Sequence, residues 1–424
     1  MFRSTSEGSS GAILEAITDR IQKQGKITFA AFMEMALFHP TGGYYTSPSR
    51  VGAEGDYYTS PCAHPVFGAL LAIQAEQLWE ILRKPNPFFV VEPGAGSGLM
   101  ARDFLRYSQN LAPSFQQSLR YLALDMASAP VNKASFPNLA QITSKTIPLK
   151  DIEGCVLSNE LVDCSPVHRF EIRDGRIQEI YVTLQDGQLD EVLGEPSTPL
   201  IAERLGSLGV RLTEGYRSEV NLYLASWMKE VSQSLTKGFV ITIDYGTEAQ
   251  DLYSPARSRG TMRSYYKHTE ASSPYAHLGE QDMTAHVDFT SLIEEGKKNG
   301  LEPLGFVTQR EFLMNLGFGS FLKSLKIGRP QLAARDYYAH QMAMMELIKP
   351  EGLGSFRVLI QAKGVGQPSL YGLTPGNNKA KELEAKGEEL ALPPLTPQHT
   401  PLMAGRYPHM LWDWGGIGMG ETQR

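Results

Sequence analysis

The sequence predicts an α/β fold built on an open, mostly parallel sheet, and three stretches carry that expectation. The first is FFVVEPGAGSGLMARDFL, residues 88–105, where Phe88 to Val91 are bulky and apolar, a glycine turn follows, and apolar residues recur at helical spacing from Leu99. A strand covered on both faces reads as such a continuous apolar run. The second is Tyr121 to Leu124, closed by Asp125, one helix and one strand further along. The third is a pair of short apolar runs, Cys155 to Leu157 and Phe239 to Ile243, each followed at once by polar residues. Asn159, Glu160 and Asp163 follow the one, and Asp244-Tyr245-Gly246 follows the other. In open α/β sheets the carboxyl ends of the strands are where ligands bind.

Taken in order, the chain opens with residues 1–10, polar and expected to be disordered. Residues 11–37 carry two amphipathic helical patterns, Ala12, Ile13, Ala16, Ile17 and Ile21, then Phe29, Phe32, Met33, Ala36 and Leu37. Gly25 separates them and Thr28 is a plausible N-cap for the second. Residues 43–61, GYYTSPSRVGAEGDYYTSP, have no period; they read as a surface loop or as a wall folded over a site. A helix is expected from Pro65 to Leu82, leading into the strand at 88. Residues 171–213 alternate and turn at Asp174-Gly175 and Asp186-Gly187, a β excursion from the main sheet. An amphipathic helix is expected over 214–236. Residues 247–290 are long, polar and aromatic, and a connection of that length is usually functional or disordered. Thr308 begins a further helix, 331–349 are helical, and Ser355 to Ile360 is a last strand. This divides the chain into N-terminal helices and lid loop (1–64), a core (65–364) with insertions at 171–213 and 247–290, and a proline-bearing tail (365–424).

The glycine turn discriminates between ligands. A dinucleotide fingerprint spaces its glycines G-x-G-x-x-G to seat a pyrophosphate at the helix end. Here Gly94, Gly96 and Gly98 run G-x-G-x-G, and no Lys follows them as a phosphate-cradling loop would require. The pattern resembles motif I of class I S-adenosylmethionine (SAM) methyltransferases, whose turn takes a cofactor without phosphate. Asp125 is placed to accept hydrogen bonds from ribose hydroxyls, or is simply a strand-end acid.

Composition bounds the partners. A net charge of −6 and a pI near 5.9 argue against a nucleic-acid footprint, which shows as a basic patch. Three cysteines, Cys62, Cys155 and Cys164, form no C-x-x-C pair, so a reducing compartment is expected. No apolar run is long enough to span a bilayer. Glu7, Glu15 and Asp19 suit a transit peptide poorly, and a cytoplasmic location is expected. His268, His277 and His286 have no zinc spacing, so no metal is expected.

Several segments together resemble one family, the SAM-dependent methyltransferases related to the mitochondrial complex I assembly arginine methyltransferase, with MidA-like members. They are HPTGGYY, GAEGDYYTSP, VEPGAGSG, SNELVDCSPVHRF, ITIDYG, GTMRSYYKH and GEQDMTAHVDFTSL, across roughly residues 28–360. Gly94-Ala95-Gly96-Ser97-Gly98 stands where the family usually has Gly-Pro-Gly-Arg-Gly, and Leu161-Val162 where it has a Phe pair. The resemblance implies a class I Rossmann-like fold, SAM as cofactor, and methyl transfer to a protein arginine, with a respiratory complex I subunit as a candidate acceptor. It assigns Glu92, Gly94, Gly96, Gly98, Asp125, Asp56 and Asn159 to the cofactor, and Glu160 and Asp163, helped by Asn159, to the acceptor. A small-molecule methyltransferase, or a SAM-binding assembly factor without turnover, are the alternatives, and the oligomeric state is left open.

Overall fold

The structure is a computed structural model and describes residues 5–46, 59–127, 136–267, 269–376, 379–384 and 390–399. Seven strands form the central sheet: β1 (Phe88–Pro93), β2 (Leu119–Asp125), β3 (Leu139–Thr143), β4 (Ile152–Asn159), β5 (Leu235–Asp244), β6 (Glu302–Thr308) and β7 (Arg357–Lys363). Their order across the sheet is β6-β7-β5-β4-β1-β2-β3. β1 pairs in parallel with both β2 and β4, and β4 in parallel with β5. Only β7 runs against its neighbours, β5 and β6. The chain thus winds outward from β1 to β3, then returns to start again at β4. The crevice between β1 and β4 is the switch point where such sheets bind ligands.

Alternate residues of each central strand face opposite layers. Val90, Cys155, Ile241 and Ile360 join a core with helices α3 (Val66–Ile81) and α4 (Leu99–Ser108). Val91, Val156, Val240 and Leu359 join the other, with α5 (Tyr223–Ser234) and α6 (Phe289–Lys298). Both faces are covered, so the strands read as apolar runs rather than alternating ones. α3 crosses α4 so closely that a Cβ on Gly68 would lie 2.8 Å from the Asp103 Cβ.

The N-terminal segment begins with α1 (Thr5–Gln24), which starts earlier than the expected position 11. α2 (Phe29–Phe38) is capped as expected, the Ala31 N–H donating to Thr28 Oγ1 at 3.1 Å. The β excursion forms a second, antiparallel sheet from His168–Arg173, Arg176–Gln185, Gln188–Gly194 and Arg217–Val220, and Ile27–Thr28 adds to its edge. The helix expected over 214–236 therefore begins only at Tyr223. Val220 pairs with His168 and Glu219 with Arg169, and those ladder bonds override the local helical pattern. The long stretch 247–290 is broken into short strands, Arg263–Tyr266 pairing with Thr269–Glu270 and Asp282–Thr284. The described part of the tail packs on the core. Leu370, Tyr371 and Leu390 are buried, and the buried His399 ring meets Asp103 Oδ2 at 2.8 Å. Among the described residues no helix is long and apolar enough to cross a membrane.

Candidate active site

The glycine turn leaves β1 with Gly94, Gly96 and Gly98 all in the left-handed region, φ 72°, 54° and 69°. A Cβ at Gly94 would also meet Leu161 Cδ1 at 2.7 Å. These conformations are why glycine is needed at each position. The turn is held from the neighbouring strand: the Ala95 N–H donates to the Leu124 carbonyl at 2.9 Å, and the Gly96 N–H to Asp125 Oδ2 at 2.7 Å. Asp125 also accepts from the Ala127 N–H at 3.0 Å, through Oδ1. Burial nonetheless pushes its carboxyl above the usual range. Asp125 thus shapes the turn, and each oxygen keeps a second lone pair.

A cavity of about 530 Å³ opens over this turn. Its wall includes Glu92, Asp125, Asn159, Glu160 and the turn itself, at the carboxyl ends of β1, β2 and β4. Glu92 accepts from the Tyr121 hydroxyl at 2.7 Å and is otherwise enclosed, so burial pushes its carboxyl up to about 8. Asn159 Oδ1 is buried with no hydrogen-bond partner among the described residues. A buried amide oxygen left unpaired costs free energy that a donor entering the cavity would relieve.

Glu160 has φ 50°, rare for a residue with a side chain. Its N–H donates to the Ile243 carbonyl at 2.9 Å, which ties the bend to β5. Its Oε1 accepts from the Ser60 N–H at 3.2 Å and from Asn159 Nδ2 at 2.9 Å. Burial first, and then the nearby Asp163, push its carboxyl up to about 8. Asp163 stands behind the wall rather than on it. It is buried, its carboxyl pushed up to about 6 by burial, with the Tyr245 side chain as a hydrogen-bond partner. Asp244 spans the same loop, its Oδ2 accepting from the Val162 N–H at 2.9 Å and the Leu161 N–H at 3.2 Å. It is a brace for the Asn-Glu-Leu-Val-Asp segment, and burial raises its carboxyl strongly.

Of the residues expected from sequence, the structure brings Glu92, Gly94, Gly96, Asp125, Asn159 and Glu160 to one cavity. Gly98 caps α4 just behind it. Asp163 lies one layer deeper, and Asp56 lies outside the described residues. His268 does too; of the other two histidines, His277 stacks on Tyr266 and His286 meets Arg257. Sequence reading missed Ser60, which orients Glu160 from a hundred positions away. It reads 43–61 as a possible wall and pairs it with 260–290, without foreseeing the bond that joins them: the Tyr45 hydroxyl donates to Asp282 Oδ1 at 2.7 Å. It also missed Trp227 of α5, on the cavity wall with its buried Nε1 unpartnered among the described residues.

A cofactor with an amino-acid end and a ribose, but no phosphate, matches this wall. The glycines leave backbone exposed, carboxyl groups stand on two strand ends, Asn159 offers an unpaired acceptor, and the turn Gly94–Gly98 itself carries no Lys or Arg.

Comparison with known proteins agrees. A family model for S-adenosyl-L-methionine-dependent methyltransferases matches residues 70–307. The mitochondrial protein arginine methyltransferase NDUFAF7 of Rattus norvegicus is 28% identical over 375 residues, 81% of this chain and 82% of its own length. The human protein of that name is 27% identical, covering 78% and 80%. A crystal structure from Burkholderia thailandensis, bound to S-adenosyl-homocysteine, superposes with TM-score 0.78 at 25% identity, covering 88% of this chain and 97% of that one.

Proposed function

The chain belongs to this family of S-adenosyl-L-methionine-dependent methyltransferases, and on that premise we propose that the group it methylates is the guanidinium of a protein arginine. One observation carries the reading: the Glu160 carboxylate stands on the cavity wall beside the glycine turn, its Oε1 pinned by Ser60 and Asn159. The relatives of Rattus norvegicus and human, both protein arginine methyltransferases by name, support it.

The chemistry follows from those positions. SAM, when bound, supplies a methyl group on a sulfonium for in-line displacement. Gly94, Gly96, Gly98, Glu92, Asp125 and Asn159 would hold it, leaving positioning as the chain's main contribution to rate. A guanidinium has a pKa above ~12 and arrives protonated. Glu160 would pair with its N–H fork, fixing one nitrogen toward the methyl group. The free carboxyl is pushed up to about 8, so the approaching cation must displace its proton. As the new nitrogen–carbon bond forms, the attacking nitrogen sheds one proton, and a carboxylate poised near working pH is suited to receive it. Asp163 and Asp244 would hold the Glu160 loop in place.

By resemblance a respiratory complex I subunit is a candidate acceptor. The relatives are named as mitochondrial; fractionation of tagged protein tests whether this chain shares that location or is cytoplasmic, as proposed. The decisive experiment incubates the chain with methyl-labelled SAM and a cell lysate, then maps label by mass spectrometry. Label on arginine nitrogen is expected. Label only on lysine, a carboxylate or a small molecule overturns the acceptor assignment.

A further inference from the structure

We propose that α2 forms the outer wall of the acceptor site and selects an arginine flanked by a second basic residue. The proposal rests on the arginine reading above and adds the sequence context of the substrate.

α2 has two working faces. Phe29, Phe32, Met33, Ala36 and Leu37 are buried in the N-terminal core. Ala30, Glu34 and Phe38, at i, i+4 and i+8, line the same cavity as Glu160. Glu34 is exposed while lining the cavity, so it stands at the opening rather than at the reacting centre. The stripe is rigidly mounted. Thr28 caps the helix, and the strand Ile27–Thr28 pairs with Arg176–Gln185. The Arg169 guanidinium lies over the Phe29 ring at 4.9 Å. At the far end Phe38 stacks on Tyr45 with centroids 5.5 Å apart and planes 20° apart, and Tyr45 is bonded to Asp282.

The charge on the cavity wall sets the class of ligand. Among the described wall residues, Glu34, Glu92, Asp125, Glu160 and Glu230 are acids, against one lysine, Lys145. Glu92 and Asp125 flank the glycine turn, and the Ile147 N–H donates to Glu230 Oε1 at 2.6 Å. Among the described residues, Glu34 is left as the acid at the entrance, one turn from Phe38, with Tyr45 beyond. A carboxylate next to aromatic faces suits a Lys or Arg side chain, the acid by charge and the rings by cation–π attraction. Ala30 leaves room one turn on the other side. A peptide that places its acceptor arginine at Glu160 would lay a neighbouring residue along this stripe.

The test uses synthetic peptides centred on one arginine, with Lys, Gln or Glu at the flanking positions, titrated into the full chain saturated with S-adenosyl-homocysteine. Binding is read by fluorescence anisotropy at low salt. The wild type should prefer the Lys-flanked peptide. Glu34→Gln should reduce that preference by about fivefold, the scale of an exposed ion pair. Glu34→Lys should invert it toward the Glu-flanked peptide. SAM affinity should be unchanged in both variants, which shows they are folded. Equal binding of all three peptides, or a Lys preference that survives Glu34→Lys, overturns the proposal while leaving the arginine reading intact. Loss of the arginine itself, replaced by Gln in the Lys-flanked peptide, should abolish binding. If it does not, the arginine reading fails, and the context proposal with it.

Discussion

Glu92 and Glu160 both stand at the carboxyl end of a parallel strand in one sheet, and burial pushes both carboxyls up to about 8. Their surroundings differ in kind. Glu92 is supported by the next strand, through the Tyr121 hydroxyl, and the turn it precedes is held by Leu124 and Asp125 of that same strand. Glu160 is supported by Ser60 and by the Ile243 carbonyl. Behind Ser60, its hydroxyl donates to Gln309 Oε1 at 3.0 Å, and behind that stands the Leu347 carbonyl, 2.9 Å from Gln309 Nε2. Apart from Asn159 of β4, the cofactor half is assembled from neighbours in one βαβ unit. The acceptor half is assembled from segments spread along the chain.

That contrast predicts separable failures. The largest effect is expected at Gly96. Its φ of 54° and its N–H bond to Asp125 leave no place for a β-branched side chain. Gly96→Val should abolish SAM binding in calorimetry. Normal affinity in a folded Gly96→Val protein would refute the cofactor site.

Next come the two acids themselves. Glu160→Gln removes the charge that would pair with a guanidinium. Losing one desolvated charge-assisted pair costs roughly 2–5 kcal/mol, a drop in single-turnover rate of about thirtyfold to several thousandfold. SAM affinity should hold. Glu92→Gln should do the reverse, weakening SAM by about tenfold while leaving turnover at saturating cofactor nearly intact. If both variants fail in the same assay, the division into halves is wrong.

pH sharpens the same comparison. Because Glu160 must be ionised to hold a cation and its free carboxyl sits at about 8, kcat/KM should rise with pH and level off above that value. Glu160→Gln should flatten the profile. Stability should run the other way. Each carboxyl is raised from 4.5 to about 8 in the folded state, so it favours folding fully below 4.5, and that contribution is lost as pH climbs toward 8. Thermal unfolding should therefore show Tm falling across that window, and falling less in either Gln variant.

The same contrast explains what could be read from the sequence. The five inner strands of the central sheet were legible because strands covered on both faces are apolar runs, and the glycine turn because its backbone tolerates one residue type; the half-exposed edge strands β3 and β6 carry no such run and were not read. Glu160 was legible because a polar cluster directly after a buried strand is conspicuous. Ser60, the Tyr45–Asp282 bond and the cavity face of α2 were not. A hydrogen bond between residues 60 and 160 leaves no periodic trace, and Ala30, Glu34 and Phe38 fall on the face that an amphipathic reading discards. The strand at Arg217–Val220 was hidden for a related reason, since only its partner at His168–Arg173 makes it a strand.

The smallest expected effect concerns the join between residues 44–46 and the 260–290 stretch. Tyr45 donates to Asp282 at 2.7 Å, Asp282 is fully buried, and the Met283 N–H also donates to it at 2.9 Å. Tyr45→Phe keeps the ring stacked on Phe38 and removes only the hydroxyl, so about 1 kcal/mol is at stake, a few-fold change. If both stretches close over the acceptor half as one unit, that loss should raise KM for a peptide and leave SAM affinity unchanged. Hydrogen exchange at residues 44–46 and at 282–284 should slow on adding S-adenosyl-homocysteine in the wild type, and slow less in the variant. Unlinked protection, with 282–284 responding normally in Tyr45→Phe, would mean that the two stretches move independently. Glu34 and Glu160 would then line an acceptor wall without a common lid.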